Sequence, residues 1–338
     1  MRRPDPLPPS LYGRIFTCQQ ALAAGVPEKR LRARDIERVV RGIYRHRPVP
    51  GDADVAPAAG VGGPHGEGPH GEGPHVEGVP PETIDLALLQ ALCSRAPGLW
   101  LSHATAARVH GLPLPPRFAR DSAIHVSGRF RGRTVAGLGA VRQHGPIKNT
   151  MGEVLEQEGL RLASPERVFI DLMPHLRPDE LVVLGDALVR EPRAVFEGRE
   201  HPWSTRELLE ECLSRHGHTR GIVAARQALE RVRVGADSPP ETLLRLRLVE
   251  AGHPEPELQA RLDPDDPVSP VTDLAYRRRK VAVQYDGAHH FEAEQQASDE
   301  WRDGAFRRDG WTVVRANRVD FREDFIGVVA RVSVLLLS

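Results

Sequence analysis

Apolar residues recur along this chain with two periods, about 3.6 and 2, and the switches between them mark out its elements. Phe16 to Gly25 has helical spacing, with Thr17 placed as N-cap and Gly25 as the C-terminal stop. Val26 to Arg34 predicts a second helix after a tight turn, and Arg38 to Arg45 predicts a small β-wing turning at Gly42. Helix, turn, helix and wing predict a winged helix-turn-helix over residues 10–50. Thr83 to Ala96 again has helical spacing, and Leu101 to Gly111 predicts a helix capped by Ser102. Ile124–Ser127 and Val135–Gln143 predict strands. Ser164–Met173 (with Pro165 in its first turn), Leu181–Arg190 and Thr205–Arg215 predict helices, making 83–235 an α+β middle region.

The C-terminal pattern is the most regular. Asp237-Ser-Pro-Pro-Glu241 caps a helix running to about Ala251. Strands follow at Leu258–Leu262, Val271–Ala275 and Lys280–Tyr285, then a helix at Ala293–Arg308, a strand at Trp311–Ala316 and a helix at Phe325–Leu336. That order predicts a mixed sheet flanked by helices over 237–336, and a multi-domain α/β chain.

Composition refines this picture in three places. Residues 51–82 repeat Gly-Pro-His-Gly-Glu, with His65, His70 and His75 five apart. Gly and Pro at this density build no core, so the segment reads as a flexible linker. Its histidines have no scaffold to fix a metal geometry. The chain has 46 basic and 46 acidic residues, so total charge does not point to nucleic acid. Local charge does. Lys29, Arg30, Arg32, Arg34, Arg38, Arg41, Arg45 and Arg47 lie on the second helix and its flanks, opposed only by Glu28, Asp35 and Glu37. Such a face suits phosphate contact with double-stranded DNA; the other reading is an interaction domain with a solvated basic face. Cys18, Cys93 and Cys212 lack metal-ligand spacing, which suits a reduced, cytoplasmic protein. The first residues lack the apolar core of a signal peptide, and no apolar run is long enough to span a membrane.

Candidate chemistry concentrates near the C-terminus, in Asp273-Leu-Ala-Tyr276 and Val281-Ala-Val-Gln-Tyr-Asp-Gly287, followed by His289 and His290. Gln284 and Asp286 share a strand face because side chains alternate. Gly287 lets the chain turn and swing His290 back over the same spot. Carboxylates beside an imidazole suit a hard divalent cation and a water nucleophile. A weaker grouping is His103, His110, Asp171 and His175, but polar residues at helix ends ordinarily cap or pair there.

The ordered series Ser238-Pro-Pro-Glu-Thr242, Asp273-Leu-Ala-Tyr276, Val281 to Gly287 with His290, Asp299, and Gly310-Trp-Thr-Val-Val-Arg315 resembles the very-short-patch-repair-like endonuclease domains. These belong to the restriction-endonuclease-like PD-(D/E)XK superfamily. The N-terminal unit resembles the winged helix of AbiEi-type antitoxins, a pairing found in actinobacteria. The resemblance implies a Mg²⁺- or Mn²⁺-dependent endonuclease acting on DNA. Asp273 would be the central metal-binding aspartate, and Gln284 stands where many members have glutamate. Asp286 stands where the superfamily lysine often lies. Those three would hold the metal. His290 would be the general base or leaving-group acid, and Glu241 would orient a metal-bound water. Asp299, Arg302 and Arg307 would face the phosphate backbone or form a solvated stripe.

Two departures divide the reading. Gln284 is neutral, and the usual lysine is missing; Lys280 sits at the other end of the strand, roughly 13 Å from Gln284 at about 3.3 Å per residue. One reading is a DNA endonuclease. The other is a DNA-binding antitoxin or transcriptional regulator with a nuclease fold that does not cut, working with a toxin or other protein partner.

Overall fold

Thr17 closes the first helix as expected. In a computed structural model its hydroxyl accepts from the Gln20 amide at 3.1 Å while the Gln20 side chain accepts from the Thr17 amide at 2.7 Å. The structure describes residues 4–47, 85–129, 141–145, 147, 152–193, 197–287 and 293–337. Helices and strands make up 43% and 21%, no described sheet closes into a barrel, and the fold is multi-domain α/β. Two compact units divide at 172/173, the first drawn from the chain up to Leu172 and the second running on from Met173.

In the first unit, β1 (Ile15–Thr17) leads into α1 (Cys18–Ala23), and β2 (Ile36–Val40) and β3 (Ile43–His46) form a hairpin. The hairpin turns at Gly42, whose φ of +81° lies in the left-handed region that glycine tolerates. β1 joins it in the order β1-β3-β2. The expected second helix over Val26–Arg34 is instead a 3₁₀ turn, Glu28–Arg32. Pro27 stands as its N-cap without a side-chain hydrogen bond, and the Ala33 amide closes it on the Arg30 carbonyl. The unit therefore departs from a helix-turn-helix at the element that would enter a groove.

A second sheet comes after α2 (Leu86–Arg95). Its strands are β4 (Leu99–Leu101), β5 (Ile124–Gly128), β6 (Val141–His144), β7 (Val154–Gln157) and β8 (Leu160–Ala163), ordered β6-β5-β4-β8-β7. Helices α3 (His103–Val109), α4 (Pro116–Ala119) and α5 (Pro165–Leu172) complete the unit. Val40 and Ile43 of the hairpin share a core with Leu89, Leu92, Leu101 and Leu162, so the first sheet does not stand apart from α2 and the second sheet. Of the strand expected over Val135–Gln143, the described part is β6; the segment 51–82 lies outside the described residues.

The second unit begins with α6 (Pro178–Val189), α7 (Arg206–Arg215) and α8 (Ile222–Arg231). These precede the boundary expected at 237, yet they pack with the helix that lies beyond it. Asp186 of α6 accepts from Arg245 at 2.9 Å and from Thr242 at 2.9 Å, and both partners lie on α9 (Pro239–Glu250). Side chains of Asp186 and Arg245 are each 1% exposed, so this pair belongs to the core of one unit. The sheet has the order β12-β11-β10-β9, from β9 (Glu257–Arg261), β10 (Val271–Tyr276), β11 (Val281–Asp286) and β12 (Thr312–Asn317). β9, β10 and β11 are antiparallel; β11 and β12 are parallel, as their crossover through α10 (Ala293–Arg308) requires. Alternation assigns the faces. Val281 and Val283 pack with Leu244 and Leu248 of α9 and Val328 and Val332 of α12 (Ile326–Leu337). Ala282 and Ala275 pack with Phe306 of α10 and with Trp311. A short α11 (Arg318–Arg322) is capped by Asn317. No helix among the described residues is long and apolar enough to cross a membrane.

Candidate functional site

The start of α9 and the middle of β10 bring two carboxylates together. Ser238 caps α9, and Pro239 and Pro240 fill its first turn, where no amide is needed. Glu241 folds back to complete the cap: its carboxylate accepts from the Asp237 amide at 2.9 Å and the Ser238 hydroxyl at 2.6 Å. An ion pair with Arg245 one turn on is therefore not how Glu241 is held; Arg245 turns to Asp186 and to Glu255 at 2.8 Å.

Leu274 pairs with Val283, which puts Asp273 opposite Gln284 on adjacent antiparallel strands. The two side chains clasp each other. Gln284 donates from its amide to one Asp273 oxygen at 2.8 Å, while its carbonyl oxygen accepts from the Asp273 amide and the Thr272 hydroxyl at 3.2 Å each. The other Asp273 oxygen accepts from the Tyr285 amide at 2.7 Å. Even so, burial pushes the Asp273 carboxyl up to about 6, against the pull of the Tyr285 amide, Arg302 and Gln284. Glu241 is pushed well above the carboxylate range, first by burial and then by the charge of Asp273. Two carboxyls in this condition favour a proton or a cation between them.

The other expected residues are distributed around this pair. Asp286 is half-exposed at the end of β11, 3.7 Å from Arg315. Lys280 has left-handed backbone at the start of β11, and its ammonium donates to the Asp309 carbonyl at 2.7 Å, so it is held at the opposite end of the strand. His289 and His290, and the side chain of Asp299, lie outside the described residues. Three groups stand here whose place at the site the sequence does not show: Asp237, whose charge raises Asp273, and Asp303 and Arg315, which pair at 2.7 Å. Asp303 is 2% exposed, and only its i,i+4 spacing to Arg307 gave a signal.

The basic N-terminal residues divide. Lys29, Arg32, Arg34, Arg38 and Arg41 are exposed. Arg30 is buried, forking onto both Asp35 oxygens at 2.7 and 2.6 Å and donating to the Asp5 carbonyl at 2.6 Å, so it braces the turn and is removed from the DNA-contacting set. Arg45 pairs with Asp85, and Arg47 with Glu37 at 2.8 Å.

In the first unit His103 and Asp171 do meet, at 3.6 Å. Asp171 is held by Arg167 at 2.7 Å, and His110 bonds the Ala163 carbonyl at 2.8 Å, the pairing ordinarily found at helix ends. His103 also stacks on His144 with centroids 3.6 Å apart, and His144 meets His125 at 2.9 Å, neighbours that distance along the chain concealed. His175 lies in the other unit.

No family model matches the chain. It is 25% identical over 189 residues to the uncharacterised proteins Rv2248 and MT2308 of two Mycobacterium tuberculosis strains, H37Rv and CDC 1551. The match takes in 55% of this chain and 66% of each relative's length.

Proposed function

We propose that the chain is a metal-dependent DNA endonuclease whose C-terminal unit hydrolyses phosphodiester bonds and whose exposed N-terminal arginines engage the duplex. The observation that carries this reading is the meeting of buried Glu241 and half-buried Asp273, two carboxyls each harder to ionise than in water. Mg²⁺ takes one or two direct carboxylates and keeps several waters, and this donor pair fits that habit. Glu241 and Asp273 would hold the ion. When bound it supplies an acidified water and charge stabilisation at the phosphate. Gln284 fixes the rotamer of Asp273, and the α9 cap fixes Glu241. Asp286, at the open end of β11, borders the same site. The resemblance to very-short-patch-repair-like domains supports this assignment.

The test is loss of supercoiled plasmid in Mg²⁺ or Mn²⁺, with Asp273→Ala and Glu241→Gln beside the wild type. Nicking by wild type alone is expected. Equal nicking by all three, or none by any, sinks the reading.

One observation favours a second reading, a DNA-binding antitoxin or transcriptional regulator that does not cut. The Gln284 carbonyl oxygen is already engaged by the Asp273 amide and the Thr272 hydroxyl, so Gln284 does not present it to an ion. Salt-dependent DNA binding that persists without nicking, and is lost with residues 1–50, is the outcome this reading expects.

A further inference from the structure

Three arginines in the second unit converge on one buried carboxylate. Asp303 of α10 accepts from Arg315 of β12 at 2.7 Å and from Arg307 at 3.3 Å, and Arg302 lies 3.8 Å away. Asp303 is 2% exposed, while Arg315 is 41% and Arg307 56% exposed. The carboxylate is thus sunk beneath guanidinium groups that still reach solvent. Asp286, 3.7 Å from Arg315, is a second acid beside the cluster, and the guanidinium groups of Arg307 and Arg315 keep an edge in solvent. The Arg302 charge also acts on Asp273.

Strand register fixes where this cluster stands. Leu274 pairs with Val283, and Gln284 with Arg315, so Asp273, Gln284 and Arg315 form a row across three neighbouring strands. At about 4.8 Å per strand, Arg315 lies roughly 10 Å from Asp273. The guanidinium fork matches a phosphate bidentately. A ligand reaching both places must carry anionic groups in series, as a nucleic-acid backbone does.

We propose that Asp303 organises Arg302, Arg307 and Arg315 into a receptor for a backbone phosphate of DNA, placed beside the Glu241–Asp273 pair. It provides on β12 and α10 the positive charge that Lys280, at the far end of β11, does not bring. This rests on the reading of the chain as DNA-acting, but not on its cutting.

The test is fluorescence anisotropy of the full-length protein on a labelled duplex in EDTA, from about 50 to 300 mM KCl. Each lost phosphate contact lowers the slope of log affinity against log salt by about 0.9, which is roughly eightfold in affinity near 0.1 M. Arg315→Gln and Arg302→Gln are expected to show that loss, and Asp303→Asn a loss at least as large. Arg278→Gln, an exposed arginine at the opposite end of β11, is expected to keep the wild-type slope. Arg307→Gln, exposed and held by one long contact, keeps the experiment readable where a buried variant does not fold. Lower melting temperatures with an unchanged slope would mean that the cluster only braces α10 on the sheet, and the proposal falls. It also falls if wild type shows no salt-dependent binding. A wild type that binds with these slopes yet never nicks plasmid removes the nuclease reading and leaves the phosphate receptor standing.

Discussion

Replacing Asp273 by asparagine should make the second unit more stable at alkaline pH, and the gain should vanish in acid. Burial is the largest influence on this carboxyl and raises it from 3.8 to about 6. The folded state therefore holds the Asp273 proton more tightly than the unfolded chain does, and stability falls as pH rises between those values. A rise of about 2 units at 1.36 kcal/mol each is roughly 3 kcal/mol of destabilisation once pH exceeds about 7. Asparagine removes that penalty. It also sets its own amide against the Gln284 amide and forfeits the 2.8 Å hydrogen bond, at a cost of about 1 kcal/mol. The net expectation is a variant more stable than wild type by roughly 2 kcal/mol at pH 8 and near parity at about pH 4.5. For a unit of this size that is about 4–8 °C in melting temperature. Scanning calorimetry in EDTA at pH 4.5, 6 and 8 measures it. A variant destabilised by the same amount at every pH would refute the reasoning, because Asp273 would then be an ordinary hydrogen-bonded carboxylate.

Asp186→Ala leaves the buried Arg245 guanidinium with Glu255 as its remaining carboxylate partner and should cost about 3 kcal/mol in urea denaturation, with Arg245→Met in the same chain recovering most of it. If the double variant is no better than the single one, the two residues do not act as a pair. In the first unit, Arg30→Ala should lower the melting temperature and leave the salt slope of DNA binding alone. Arg32→Ala, Arg34→Ala and Arg41→Ala should do the opposite, each lowering the slope by about 0.9 where it meets a phosphate. The reverse pattern would return Arg30 to the DNA-facing set. Gln284→Leu removes a donor that favours ionised Asp273, so Mn²⁺ binding should shift to higher pH while its plateau is kept; a lowered plateau with no shift would make Gln284 a metal ligand instead.

The C-terminal elements were legible because their signals are local. Alternation and caps placed each strand there within a residue or so, and the helix Ala293–Arg308 at its observed bounds. The juxtaposition of Asp273 and Gln284 came from two short strands joined by a basic turn. What was hidden depends on residues far apart. The Asp186–Arg245 pair spans 59 positions and assigns three helices to the second unit. The β7–β8 hairpin turns at Glu158-Gly159, both with positive φ, and its short strands carry no alternation long enough to read. The 3₁₀ turn at Glu28–Arg32 looked helical because its apolar and basic residues fit either period, and Arg30 turned inward only because Asp35 awaits it. Asp303 read as one more charge on a polar helix until β12 brought Arg315 against it.

The nuclease reading of the second unit turns on Glu241 and Asp273 sharing one divalent cation. The direct measurement is Mn²⁺ binding followed by electron paramagnetic resonance of the free ion. It is made on full-length protein carrying His65→Gln, His70→Gln and His75→Gln, so that the linker histidines do not contribute. The account predicts one site in that protein at pH 7.5, weakening as pH falls, because Glu241 and Asp273 both hold protons more readily than free carboxylates. Asp273→Asn and Glu241→Gln should abolish it. Binding that survives both substitutions, or no binding by the parent protein, would contradict the account.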